Sequence, residues 1–230
     1  MNPTIQVSYT TTRNTLQAAR MLQNLSNYPT IAADFEVAVR YTESDLESFK
    51  LRLAEDIPKL ERIQLEAKLA ATALGHPSHC TLTHFSAAWS DSEAYVFILN
   101  SKSITNLVLN YLVSTQQRQV WHNLGYDGRF IQYFTNKFPS NYEDTQILAK
   151  TLLNHTNPLQ AQTGLKHLAG HIYGAWGISE DNFSLSTMYD EHMLQYAATD
   201  ACATYWLWNF LNTECDSIDS TYTIDWEAPY

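Results

Sequence analysis

Asp34 and Glu36 stand on either side of Phe35 in the stretch TIAADFEV, residues 30 to 37. The apolar run Ile31-Ala32-Ala33 ahead of them reads as a strand, and at a strand's period of two both carboxylates leave the same face. Two like charges that close repel, and burying them bare costs several kcal/mol each, so a cation is their natural partner. A strand end running out into solvent explains the same pair without any chemistry. Two further acidic positions could join them. His122-Asn123-Leu124-Gly125-Tyr126-Asp127 follows a short apolar strand and sets Asp127 at the start of a helix, as a ligand or as a cap. In Tyr196-Ala197-Ala198-Thr199-Asp200 a phenol and a carboxylate lie four residues apart, hence on one helix face. The alanines between them let that face approach a neighbouring strand; a half-buried tyrosine beside a solvated acid is the plain alternative.

These positions need a frame, and hydrophobic periodicity supplies one. The opening run Ile5 to Thr11 alternates as a strand, and Thr12 to Leu25 places Leu16, Ala19, Leu22 and Leu25 on one helical stripe. The strand from Tyr28 to Val39 carries Asp34 and Glu36. Ser44 to Gly75 opens with a capping-box pattern and reads as a helix pair broken at Pro58, with Leu46, Phe49, Leu53 and Ile57 on one stripe and Leu60, Ile63, Ala67, Ala70 and Leu74 on the other. Leu82 to Trp89 and Ala94 to Leu99 flank a four-residue polar connection and predict an antiparallel hairpin. Ile104 to Val113 is a helix, Arg118 to Trp121 a short strand, and Gly128 to Phe138 a helix closed by Pro139. Thr145 to Asn154, Leu165 to Tyr173 and Ser186 to Leu211 are helical runs. The expected class is α/β, a mixed sheet with helices on its faces.

A chain of 230 residues, 45% hydrophobic, suits one large domain or one domain with an insertion. It shows no apolar run near membrane-spanning length and no basic, apolar leader, so an intracellular protein with no membrane partner is expected. Cys80, Cys202 and Cys215 form no CxxC pair, which fits a reducing compartment. Charge is unevenly placed: residues 1 to 166 hold 14 basic and 14 acidic groups, whereas 167 to 230 hold ten acidic groups and no Lys or Arg. Broad phosphate neutralisation on duplex nucleic acid is excluded for such a chain. A polyanionic substrate must be held locally, by metal ions, backbone amides and stacking.

Taken in order, Asp-x-Glu, then Asn-x-x-Tyr-Asp, then Tyr-x-x-x-Asp resembles the three motifs of the DnaQ-like 3'-5' exonuclease superfamily, in its tyrosine-bearing branch. The likeness extends to the proofreading domain of family A, Klenow-type DNA polymerases: Asp144-Thr145 after the second motif, the run Leu165-Lys166-His167-Leu168-Ala169, and YAATDACATYWLW around the third. Residues 212 to 230, with IDWEAP at 224 to 229, look like the link that leads toward a polymerase module. The resemblance implies a ribonuclease-H-like fold over residues 1 to 230 and metal-dependent cleavage at the 3' end of single-stranded DNA, with a polymerase acting in cis or in trans. Phosphodiester hydrolysis needs charge shielding, a nucleophile at neutral pH and leaving-group stabilisation, which two Mg²⁺ or Mn²⁺ ions about 4 Å apart provide. By the resemblance, Asp34, Glu36 and Asp200 hold the ion that activates water, Asp34 bridges to a second ion, and Asp127 supports that second ion. Tyr196 orients the attacking water, and Asn123 and Tyr126 contact the terminal nucleotides.

The sequence departs from the family at two places. Residues 44 to 75 have no counterpart in the bacterial repair-type enzymes and read as an insertion, of a kind expected from a phage. His122 stands where a glutamine is familiar. Other readings of the family pattern are a free-standing exoribonuclease like RNase D, an inactive scaffold, and a module that only holds a metal. His76, His79, Cys80 and His84 can be drawn as a zinc cluster, but their spacing matches no structural zinc pattern, and a polar loop is the better reading. His167 and His171 lack the glutamate of a zincin and read as helix-surface or core residues.

Overall fold

The computed structural model describes residues 5–41, 43–73, 75–153, 162–174, 176 and 186–217. Within them a six-stranded mixed sheet is built from β1 (Ser8–Thr12), β2 (Thr30–Val39), β3 (Cys80–Ala88), β4 (Glu93–Ile98), β5 (Arg118–Trp121) and β6 (Tyr142–Asp144), in the spatial order β1-β4-β3-β2-β5-β6. β2 pairs antiparallel with β3 and parallel with β5, and β3 and β4 form the expected hairpin. The helices are α1 (Thr15–Leu25), α2 (Glu43–Leu53), α3 (Lys59–Ala73), α4 (Lys102–Ser114), α5 (Leu124–Thr135), α6 (Thr145–Leu153), α7 (Leu165–Tyr173) and α8 (Glu191–Ser217).

The period-two pattern of β2 divides its side chains between two cores. Ile31, Ala33 and Phe35 pack with Phe85, Phe97 and Trp121 beneath α1, α4 and α5. On the other face, Ala32, Ala88, Val96 and Val120 meet Ala197, Ala198, Ala201 and Cys202 of α8. Alanine facing alanine brings the α8 backbone close to the sheet, as small residues at a packing seam allow. Asp34 and Glu36 lie on this second face, toward α8. Opposite Glu36 stands the fully buried His84, whose Nε2 meets the Met188 carbonyl oxygen at 2.7 Å and so ties β3 to the segment that enters α8. The register shifts between Glu36 and Val37, where Thr83 on β3 is the extra residue; its hydroxyl donates to the Glu36 carbonyl at 3.0 Å.

Several elements differ from expectation for local reasons. α1 starts at Thr15 because the Asn14 side chain accepts the Gln17 amide at 2.9 Å, and Thr12 closes β1. The three-residue β6 carries Tyr-Glu-Asp and no apolar pattern, so periodicity gives no sign of it; it pairs parallel with β5 at the sheet edge. α5 begins at Leu124, four residues before its expected start at Gly128. Its cap comes from a distance: the Asp144 carboxylate accepts the amides of Asn123 at 3.0 Å and Leu124 at 2.8 Å. α8 starts at Glu191, five residues later than expected, and continues to Ser217.

The insertion is a helix pair, as expected, but α3 presents a different face. Leu60 is 68% exposed and Ile63 51%, whereas Leu65 and Thr72 are buried. Arg62 sets this rotation by donating to the carbonyls of Leu53 at 3.1 Å and Glu55 at 3.2 Å at the end of α2. Leu74 lies outside the described residues. So do residues 218–230, which include most of the expected link, and no structure is assigned to them. Cys80 and Cys202 are buried free thiols. Among the described residues no helix is long and apolar enough to cross a membrane.

Candidate active site

The carboxylates meet where β2, α5 and α8 converge. Asp34, Glu36 and Asp200 each offer an oxygen within 4.8 Å of the others, and among the described residues they are the only His, Cys, Asp and Glu group so placed. They line a cavity of about 500 Å³ together with Asp127, Tyr196, Asn123 and Tyr126. All seven residues expected from the sequence therefore border one space. Asp127 lies outside the tight triplet, in the first turn of α5. Its carboxylate accepts its own backbone amide there. β5 ends at Trp121 and its pairing with β2 at Ala32, which leaves the β2 edge open further on; there the Asp127 carboxylate accepts the Phe35 amide.

Burial decides the electrostatics. Asp34 is held well above the usual carboxylate pKa, first by desolvation and then by the charges of Glu36, Asp127 and Asp200. Glu36 is raised for the same leading reason, with Asp200 next, and Lys166 offsets part of the rise. Asp127 is pushed up to about 8 by burial, against the opposing hydrogen bond from Phe35. Glu36 Oε1 and Asp127 Oδ1 are buried without a hydrogen-bond partner. A carboxylate cluster with orphaned buried oxygens fits a hard divalent cation, which takes oxygen ligands and offsets both the burial and the mutual repulsion that raise these pKa values.

Tyr196 is buried beside the triplet, one helical turn before Asp200 on α8. Two contacts there were not anticipated. Lys166, at the start of α7, donates its ammonium to the Tyr196 hydroxyl and sits 4.5 Å from the centre of the ring. Trp176 donates its indole N–H to Asp200 Oδ1. Lys166 belongs to the run LKHLA that carries part of the family resemblance, but no carboxylate spacing points to it. Trp176 has no sequence signal, because its partner is 24 residues away on another element.

The Asn-x-x-Tyr-Asp motif is positioned from behind. Asn123 is exposed at the cavity edge with φ 64°, a left-handed conformation that asparagine tolerates better than most residues. Asp144 Oδ1 also accepts the Gln146 amide at 2.9 Å, so one carboxylate fixes the starts of α5 and α6. Beside it, His122 Nδ1 meets Thr145 Oγ1 at 2.8 Å, and burial lowers the imidazole pKa to about 4. His122 is a neutral wall of the cavity. The zinc reading fails on geometry: His84 is spent inside the sheet, while His76 and His79 both bond to Ser78 around the 3₁₀ turn Pro77–His79. Among the described residues they form no metal group.

The family model for the 3'-5' exonuclease, DNA_pol_A_exo1, matches residues 9–216. The chain belongs to this 3'-5' exonuclease family. Among curated proteins no sequence matches it. Several solved structures share its fold. NrnC of Brucella melitensis with bound Mg²⁺ is 16% identical with a TM-score of 0.55, over 93% of this chain and 83% of that one. The catalytic core of Rrp6 from Trypanosoma brucei is 13% identical with a TM-score of 0.61, over 91% of this chain and 48% of that one. Escherichia coli RNase D, an exoribonuclease involved in structured RNA processing, is 14% identical with a TM-score of 0.56, over 92% and 46%. The chain is thus a DnaQ-like exonuclease with a ribonuclease-H-like α/β fold, of a family that depends on divalent metal.

Proposed function

We propose that this exonuclease removes nucleotides from the 3' end of single-stranded DNA, as the proofreading partner of a family A polymerase acting in cis or in trans. The observation that carries the hydrolytic reading is the convergence of Asp34, Glu36 and Asp200 within 4.8 Å, with Asp127 on the same cavity. The family model supports 3'-5' exonuclease action, and the polymerase connection rests on the resemblance of the motifs around Asp144, Lys166 and Asp200. Asp34, Glu36 and Asp200 would hold Mg²⁺ or Mn²⁺, with Asp127 supporting a second ion; the bound cations supply charge shielding and a water of lowered pKa. The remaining tasks fall to the chain. Tyr196 orients the attacking water through its hydroxyl, and Lys166 fixes the direction of that hydroxyl while adding positive charge where the scissile phosphate would lie. Asn123 and Tyr126 border the cavity where the terminal nucleotide would enter.

An exoribonuclease reading has its own support, because RNase D and Rrp6 share the fold and a Trypanosoma brucei RNase D is described in complex with RNA. Identities of 13 to 14% speak for the fold and leave sugar preference to be measured. Single-stranded DNA and RNA oligomers of one sequence, labelled at the 5' end, distinguish the two. The DNA reading expects faster stepwise shortening of DNA from its 3' end, abolished by EDTA. Faster RNA shortening establishes the ribonuclease reading instead. Undiminished cleavage in EDTA, or product release from the 5' end, refutes the metal-dependent 3'-5' mechanism.

A further inference from the structure

Positive charge is scarce where a bound strand would need it. On the α8 side of the cavity stand the acid Asp200 and Tyr196, with Lys166 bonded to the tyrosine hydroxyl, and no Lys or Arg follows residue 166 in the chain, so a strand leaving the cavity finds no further cation there. The α5 side is different. Tyr126, Arg129 and Tyr133 recur at i, i+3 and i+7, and so follow one another along one face of α5. Tyr126 lines the cavity, and the Arg129 guanidinium lies 4.7 Å from the centre of its ring. Tyr133 is 51% exposed about 10 Å further along the helix, at a rise of about 1.5 Å per residue.

The insertion completes this face. Gly75, just past α3, has φ 60°, and a Cβ there would come within 2.9 Å of the Tyr126 hydroxyl, so the chain leaves the helix pair in contact with the cavity rim. The next residue is His76. Its ring is exposed and meets Tyr133 edge to face at 6.2 Å between centres. Arg40 adds charge nearby, with Nε donating to the Cys80 carbonyl at 3.2 Å at the start of β3. Exposed aromatic rings interleaved with guanidinium groups suit single-stranded nucleic acid, because every base has a face to stack and every linkage a phosphate to neutralise.

We propose that the outer face of α5, with Arg129, Tyr133 and His76, is an upstream nucleotide subsite that holds the strand 5' of the residue being cleaved. It rests on the exonuclease reading and adds to it a substrate length. The chain leaving the insertion then forms one bank of the strand path, through His76.

The test compares kcat/KM on a dinucleotide with kcat/KM on a single-stranded octanucleotide, in DNA and in RNA, for the unaltered chain, Tyr133→Ala and Tyr133→Trp. The subsite predicts that the octamer-to-dinucleotide ratio falls about tenfold in Tyr133→Ala and recovers in Tyr133→Trp, which restores a stacking ring. A ratio within twofold of the unaltered chain in Tyr133→Ala overturns the proposal, as does a loss that Trp does not restore. Should the unaltered chain cleave neither substrate, the exonuclease reading has failed and the subsite is read by binding alone. Anisotropy of a labelled octamer then decides: about tenfold weaker binding by Tyr133→Ala upholds the subsite, and equal binding rejects it.

Discussion

Removing the metal should make this fold increasingly unstable as pH rises. Asp127 has a pKa of about 8 in the folded chain against an ordinary 3.8, so the folded state holds its proton more tightly than the unfolded state does. Stability from this group is therefore full below pH 3.8 and is lost progressively as pH climbs through about 8. At about 1.4 kcal/mol per pKa unit, the loss between pH 5 and pH 8 is about 3–4 kcal/mol from Asp127 alone, a large share of a typical domain's stability. Asp34 and Glu36 are raised as well and act in the same direction. Urea unfolding in EDTA, repeated from pH 5 to pH 8, measures the slope, and Asp127→Asn should reduce it by about 2–4 kcal/mol over that range. Mg²⁺ at a hundred times its dissociation constant should restore about 2.7 kcal/mol at pH 8. A metal-free stability that is flat or rises with pH, or an Asp127→Asn variant with the slope of the unaltered chain, would refute the idea that buried, mutually repelling carboxylates are what the cation relieves.

Further substitutions separate the roles within the site. Asp34→Ala should lower single-turnover cleavage about a thousandfold and weaken metal binding measured by calorimetry, whereas Tyr196→Phe should lose about ten- to a hundredfold in rate with metal affinity retained. Lys166→Met should resemble Tyr196→Phe, and the double variant should lose little more than either alone if the two act as one unit; additive losses in the rate constants would separate them. Asp144→Ala removes the acceptor for the amides at both helix starts, and should cost about 2–4 kcal/mol in urea unfolding while reducing cleavage through misplacement of Asp127. Replacing residues 44 to 75 by a short linker should spare dinucleotide cleavage; a folded deletion variant that binds metal but cannot cleave that substrate would place the insertion in the catalytic centre.

The elements that position the site were readable where one physical rule dominates. β2 is legible because apolar alternation and two same-face carboxylates fall in one run, and α8 because Tyr196 and Asp200 share a turn lined with alanine. The strand Arg118–Trp121 and the helix Leu165–Tyr173 have the boundaries that periodicity gives. What escaped is held by groups distant in sequence. The true start of α5 depends on Asp144, about twenty residues later, and local capping rules see only neighbours. The orientation of α3 depends on Arg62 reaching carbonyls of the preceding helix, while its leucines offer two overlapping apolar faces between which periodicity does not choose. Lys166 and Trp176 reach the site from α7 and from the stretch after it, and only the folded chain brings them to Tyr196 and Asp200.

The same distribution of charge links fold, metal and substrate. Ten acids without a single Lys or Arg follow residue 166, and α8 carries one of them, Asp200, into the cavity beside Asp34 and Glu36. A bare phosphodiester is repelled by such a group of carboxylates, so a bound divalent cation is expected to be needed for productive substrate binding. Lys166 supplies positive charge within the cavity, and Arg129 supplies it at the rim under the ring of Tyr126. Lys166 stands beside Tyr196 of α8, whereas Arg129 stands on α5, so the charge at the rim lies on the α5 side. The strand is therefore expected to be drawn in along α5, with its 3' end turned toward α8, where the carboxylates and Tyr196 wait.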